Sequence, residues 1–255
     1  MADYLVNRSK TGEGAGGVAL VNWAQLRAEL FADSAGAPTT AGRLAELIIA
    51  AIQKTCLPPG SRLRETEMAA ALGASRTPLR EALHSLKQQG ILEHDTETGL
   101  RVRVLSWRDI TELYELRATL EGMSARLAAR NASSAERDLI AQLNSKEQAL
   151  MDAAAPPQDL AQLNNAFHQA ILNAARNAFL QDCLRQQNQI LILLGPTAYS
   201  LPQRLADISA EHQAVCTAIV NRDEAGAAQA MDDHLHKALA ARLALMSEQI
   251  SAKGD

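Results

Sequence analysis

The chain has 255 residues, 47% hydrophobic but only 3% aromatic, with a formal charge of −4, and is long enough for two domains of about 65 and about 140 residues. The negative balance excludes a nonspecific polycation, and no apolar run approaches the roughly 18 residues of a membrane span. Cys56, Cys183 and Cys216 are an odd set without paired spacing, which implies neither a disulfide framework nor a cysteine zinc site, and the polar stretch from Tyr4 to Gly17 is no signal peptide; the cytoplasm is the expected compartment.

Residues 1–40 read as an N-terminal extension, flexible to about residue 20, with a short helix of unassigned role from Val21 to Phe31 and a break from Ala35 to Thr40. Residues 41–104 read as one unit that opens with a helix of about 41–55. Leu63, Met68 and Leu72 give the next helix an apolar side, and Gly73 can take the left-handed conformation that stops it. A second helix follows, with Thr77 suited to the N-cap and Pro78 to the first helical position. Leu79, Leu83 and Leu86 recur at helical spacing beside Ala82, so one face is committed to packing. The opposite face carries Arg80, His84 and Lys87, and Arg76 sits at the amino end. Gly90 ends this helix, and Ile91-Leu92 with Arg101–Val104 read as two short strands closed near Gly99. The order is helix, turn, helix, wing, in which the amino end of the second helix can meet base edges and arginine can bond guanine bidentately. Residues 41–103 hold nine Lys/Arg against seven Asp/Glu, a net of +2, which leaves −6 for the rest. A mildly basic reader on an acidic body fits specific DNA binding.

From residue 105 to about 250 the pattern is all helix. Helices are predicted at 108–130, 134–153, 158–176, 178–194, 203–221 and 223–249, separated by Asn131 and Ser133, Pro156-Pro157, Asn177, Gly195-Pro196 with Pro202, and Asn221–Asp223. Six helices with short connections predict an antiparallel bundle. The expected fold class is therefore mainly α, a winged helix-turn-helix joined to a C-terminal all-α bundle.

The wording of both parts resembles a known family. PPGSRL, ALGASRTPLREAL and a glycine-containing wing are similar to the winged helix-turn-helix of GntR-family transcriptional regulators. Leu79 stands where valine is usual, and Thr55-Cys56 where a glycine is usual. YELRATLEG, LNNAFHQAILNAARN, EHQAVCTAIV and MDDHLHKAL resemble the FCD domain of the FadR subfamily. The resemblance implies DNA contacts from Ser75, Arg76, Thr77, Arg80 and the Gly99 region, with Thr66 and Arg101 as weaker candidates. It also implies a metal set of Asn164, His168, His212 and His234. Asn164 and His168 are four apart and share a helix face, and three neutral imidazoles with one oxygen suit Zn²⁺ or Ni²⁺. An amide oxygen in place of the aspartate found in relatives is a weaker, neutral ligand, so reduced affinity is expected. Arg117 is the candidate for holding a small carboxylate effector, with an ion pair to Glu121 as the bland alternative. Cys216 is read as a packing thiol, and His236 as pointing elsewhere.

The implied function is a homodimeric, ligand-responsive transcriptional regulator, a repressor in sign, that reads a double-stranded DNA operator and is not an enzyme. Two alternatives stay open: a constitutive DNA-binding dimer with neither metal nor effector, and a metal-dependent hydrolase, for which no HExxH-type motif is present.

Overall fold

The computed structural model describes residues 21–30, 40–96, 99–194, 199 and 201–251. The expected flexibility before residue 20, most of the 35–40 break and the Gly195-Pro196 break lie outside them. Two compact units result: the first runs to Val104 and takes in Gln189–Gly195, and the second holds Leu105–Asn188 and the chain from Pro196 on. No helix among the described residues is long and apolar enough to cross a membrane.

In the first unit, α1 (Trp23–Leu30) packs on α2 (Ala41–Gln53) and α3 (Glu65–Leu72), burying Trp23 and Leu26. Thr40 caps α2 by accepting from Arg43 N, and Leu44, Leu47, Ile48, Ala51 and Ile52 supply its buried stripe. Gly73 ends α3 at φ 58°, as its position predicts. The next helix, α4 (Arg76–Gln88), begins earlier than Thr77 and Pro78 suggest. Ser75 stands at its N-cap in extended conformation, and Pro78 sits two residues into the helix. Proline is tolerated there because the first four helical N–H groups have no intrahelical acceptor. Leu79, Ala82, Leu83 and Leu86 are buried as expected.

The wing is a hairpin of β1 (Leu92–Asp95) and β2 (Gly99–Val102), paired Leu92 with Val102 through Asp95 with Gly99. The second strand is therefore two residues earlier than expected. Val102 is buried opposite Leu92, whereas Val104 is half exposed and adds nothing to the ladder. Leu63 N donates to Leu100 O at 2.8 Å and Val102 N to Ser61 O at 2.9 Å, so the segment before α3 completes the hydrogen bonding of β2. Thr55, of the Thr55-Cys56 pair that stands where a glycine is usual, has φ +57°.

The second unit is a bundle of α5 (Trp107–Asn131), α6 (Ser134–Asp152), α7 (Pro157–Ala174), α8 (Ala178–Ile190), α9 (Pro202–Val220) and α10 (Glu224–Ser251). All six expected helices are present. The fourth ends at Ile190 and tightens into a 3-10 turn at Leu191–Leu194, which packs against α2. Capping boxes at Ser106/Asp109 and Ser133/Glu136 start α5 and α6. The core is alanine-rich: Ala118, Ala125, Ala128 and Ala129 of α5 meet Phe167, Ile171, Val215, Ile219, Ala227, Met231 and Leu235. Small residues let backbones approach, and a Cβ placed on Gly122 of α5 would stand 3.4 Å from Ala228 O of α10. That closeness brings polar side chains from five helices to one point.

Candidate functional site

Ser75 at the N-cap of α4 is exposed, as are Arg76, Thr77, Arg80, His84 and Lys87 on the helix, while the leucine face is packed. Thr66 is exposed on α3. Arg80 Nε donates to Glu65 Oε2 at 2.7 Å across the turn, and its terminal nitrogens have no partner among the described residues. Gly99 begins β2 at φ 79°, a conformation that suits glycine at a wing tip. Arg101 is committed inside the wing: Nε donates to Glu93 Oε1 at 2.8 Å and a terminal nitrogen lies 3.2 Å from Asp95. That bonding makes it a brace for the hairpin.

The second cluster is built from α5, α6, α7, α9 and α10. His168 of α7, His212 of α9 and His234 of α10 each offer a ring nitrogen, and these nitrogens all lie within 4.8 Å of one another. Every ring is oriented from behind by a glutamate. His168 Nδ1 is 2.6 Å from Glu121 Oε2, His212 Nδ1 is 2.5 Å from Glu147 Oε2, and His234 Nδ1 is 2.9 Å from Glu211 Oε2. A carboxylate behind Nδ1 selects the tautomer with the proton there and leaves the Nε2 lone pair as donor, the arrangement that orients metal-ligating histidines. Phe167 stacks on His212 with centroids 4.6 Å apart.

Burial keeps the His212 and His234 rings neutral. Burial pushes His212 down, and pushes His234 down to about 3, against the opposing pull of their glutamates. Burial disfavours ionised Glu121, yet Arg117 and His168 outweigh it and hold that carboxyl well below its usual range. Glu211 is held at about 2, burial again being overcome, here by His234 and Arg204.

Two of the three glutamates have arginine partners. Arg117 donates from Nε to Glu121 Oε1 at 2.9 Å and lies 5.0 Å from the Tyr114 ring centroid, and Arg204 grips Glu211 with two bonds of 2.8 Å. Glu147 is buried with no Lys or Arg partner among the described residues; Tyr199 Oη donates to its Oε1 at 2.5 Å. His212 is fully buried, and its Nε2 has no hydrogen-bond partner among the described residues. An orphaned lone pair beside a carboxylate without a cation is the signature of a place for a positive ion. Three imidazole nitrogens this close fit Zn²⁺, Ni²⁺ or a similar ion.

Asn164, one turn before His168, meets Tyr199 Oη through Oδ1 at 3.2 Å. Arg117 is one step behind the cluster, bonded to Glu121, which is the bland alternative foreseen for it. Cys216 is buried in the apolar core, and exposed His236 bonds the Asp232 carbonyl of its own helix. Sequence reasoning missed Glu147, Tyr199 and Arg204 as members. Glu211, adjacent to His212, carried a visible signal, and Arg204, seven residues before it on α9, carried a helical spacing; Glu147 and Tyr199 carried none.

Comparison with known proteins places both units. Residues 40–102 match the model of bacterial regulatory proteins of the gntR family, and residues 112–237 match the FCD domain. Over 201 residues the chain is 30% identical to the "Probable D-xylose utilization operon transcriptional repressor" of Paenarthrobacter nicotinovorans, covering 77% of this chain and 86% of that one. It is also 30% identical over 217 residues to the Glc operon transcriptional activator of Escherichia coli K12, covering 74% and 82% respectively. The solved structure of E. coli McbR/YncC shares the fold, with a TM-score of 0.64 at 21% identity, covering 84% of this chain and all of that one. With its exposed recognition helix and its helical bundle each matched, the chain belongs to the GntR family, in the form that joins the winged helix-turn-helix to an FCD domain, and is a DNA-binding transcriptional regulator, not an enzyme.

Proposed function

We propose that the helical unit holds a divalent transition ion, Zn²⁺ or Ni²⁺, on His168, His212 and His234, with Asn164 as a neutral oxygen ligand, and that the bound ion makes the unit a receptor for a small carboxylic acid. The observation that carries this reading is the buried, unpartnered Nε2 of His212 backed by Glu147, which has no cation of its own among the described residues. An ion there balances that charge, and its remaining coordination positions supply a Lewis-acidic seat for one carboxylate. Because Arg117 already bonds Glu121 through Nε and a terminal nitrogen, its part in the site is to steady the carboxylate behind His168 and to add positive charge that attracts the acid.

The reader is proposed to act in the cytoplasm as a homodimer on a roughly palindromic operator. Ser75, Arg76, Thr77 and Arg80 enter the major groove, Thr66 and the Gly99 tip meet the flanking backbone, and Arg101 holds the wing in shape. Effector binding alters operator affinity by favouring one arrangement of the two readers, with a coupling of about 1–3 kcal/mol. Repression is the sign adopted, since two relatives 30% identical to the chain are named repressors, beside one named an activator.

Elemental analysis with native mass measurement tests the core of this reading. About one Zn or Ni per chain, lost in His212→Ala, is the expected result. A metal-free dimer that cannot be reloaded would overturn the metal and leave a constitutive DNA-binding dimer.

A further inference from the structure

We propose that Tyr199 and Glu147 are positioning residues of this site, with Tyr199 setting which end of the Asn164 amide faces the histidines. The inference rests on the metal reading above, and its basis is proton accounting. Tyr199 Oη stands 2.5 Å from Glu147 Oε1 and 3.2 Å from Asn164 Oδ1. A phenol has one proton to give. The carboxylate is the nearer and stronger acceptor, so Glu147 receives it. The phenol oxygen then faces Asn164 as an acceptor, and two acceptors in contact repel. Turning the amide end for end leaves its shape unchanged and brings Nδ2 to Tyr199 as a donor. The carbonyl oxygen is thereby directed away from the phenol and released for an ion held by His168, one turn along α7.

Through its other oxygen Glu147 accepts from His212 Nδ1 at 2.5 Å. One phenol thus governs two of the four proposed ligands, Asn164 directly and His212 through Glu147. Its own place is determined by packing, since Tyr199 is buried against Leu160 and Ile208. The pairs at His168 and His234 are steadied by Arg117 and Arg204 instead, and neither arginine is bonded to a proposed ligand.

The test is Zn²⁺ titration of metal-free, full-length protein against a chromophoric chelator, for the wild type, Tyr199→Phe, Asn164→Asp and the double variant, with His212→Ala as control. Loss of a partner that orients a ligand weakens metal binding about 10- to 100-fold. That loss is expected in Tyr199→Phe, together with a shifted visible spectrum of bound Co²⁺ and an unchanged circular dichroism spectrum of the metal-free protein. In the Asn164→Asp background both side-chain oxygens are equivalent and nothing needs orienting, so the same substitution is expected to cost less than about threefold. Equal loss in both backgrounds, or none in either, overturns the proposal. Glu147→Gln is the second variant: its amide cannot accept from both Tyr199 and His212, so wild-type affinity in it also overturns the proposal. A wild type that takes up no metal, or a His212→Ala variant that binds as well, sinks the metal reading itself and is told apart by that control.

Discussion

Lowering the pH from about 7.5 to about 5 destabilises the metal-free protein, and the histidine cluster sets the size of the loss. His234 is only 5% exposed, and burial lowers it from the ordinary 6.5 to about 3. The unfolded chain therefore takes up a proton near pH 6.5 that the folded chain refuses until about pH 3. Stability from this residue is full above 6.5 and falls with pH through the window between the two values. At pH 5 the loss is about 2 kcal/mol for His234 alone, since each pH unit below the unfolded value costs about 1.4 kcal/mol. His212, also lowered by burial, adds in the same direction. Glu121 and Glu211 have lowered values too, but their contribution is lost only below the ordinary 4.5, so the range from pH 5 to 6.5 isolates the histidines. The assay is urea unfolding in the presence of a chelator at several pH values, on the wild type and on His234→Asn. The wild type is expected to lose about 2 kcal/mol or more by pH 5, and the variant correspondingly less. A stability that is flat over this range, or a slope that the substitution leaves untouched, would refute the assignment of buried neutral imidazoles.

Replacing Arg80 by Ala is expected to weaken operator binding about tenfold or more and to relax base preference at one position, measured by binding to operator variants at fixed salt. Phe167 is 1% exposed and stacked on His212, so Phe167→Ala is expected to cost about 3–5 kcal/mol in urea unfolding and to lower metal affinity as well. Thr55→Gly is expected to stabilise the protein by about 1 kcal/mol in the same assay, because a β-branched residue at positive φ is strained and glycine is not.

The helices were legible from residue order because their signals are local. Ser133 with Glu136, Gly73 and the Pro156-Pro157 pair announce ends and starts wherever the chain goes, and the leucine spacing of α4 assigns its packed face. Positions that depend on pairing were less legible. The wing strand came two residues early because register follows which apolar residue faces Leu92, and the start of α4 moved because proline is acceptable anywhere in a first turn. Of the candidate site, the histidines were readable through motifs, whereas Glu147 and Tyr199 have no spacing relation to them; Arg204, two helical turns before Glu211 on α9, does.

Residue order by itself determined that this chain makes a helix-turn-helix with a wing and a helical bundle, since periodicity, caps and breakers act over a few residues. It also determined which side chains face outward on the recognition helix. Only the tertiary structure decided that three histidines from three helices meet, that each has a glutamate behind it, and that Arg117 spends its strongest bonds on Glu121. The histidine–glutamate contacts span 23 to 65 residues of chain, and they exist only because alanine-lined helices pack closely enough to bring them to one point.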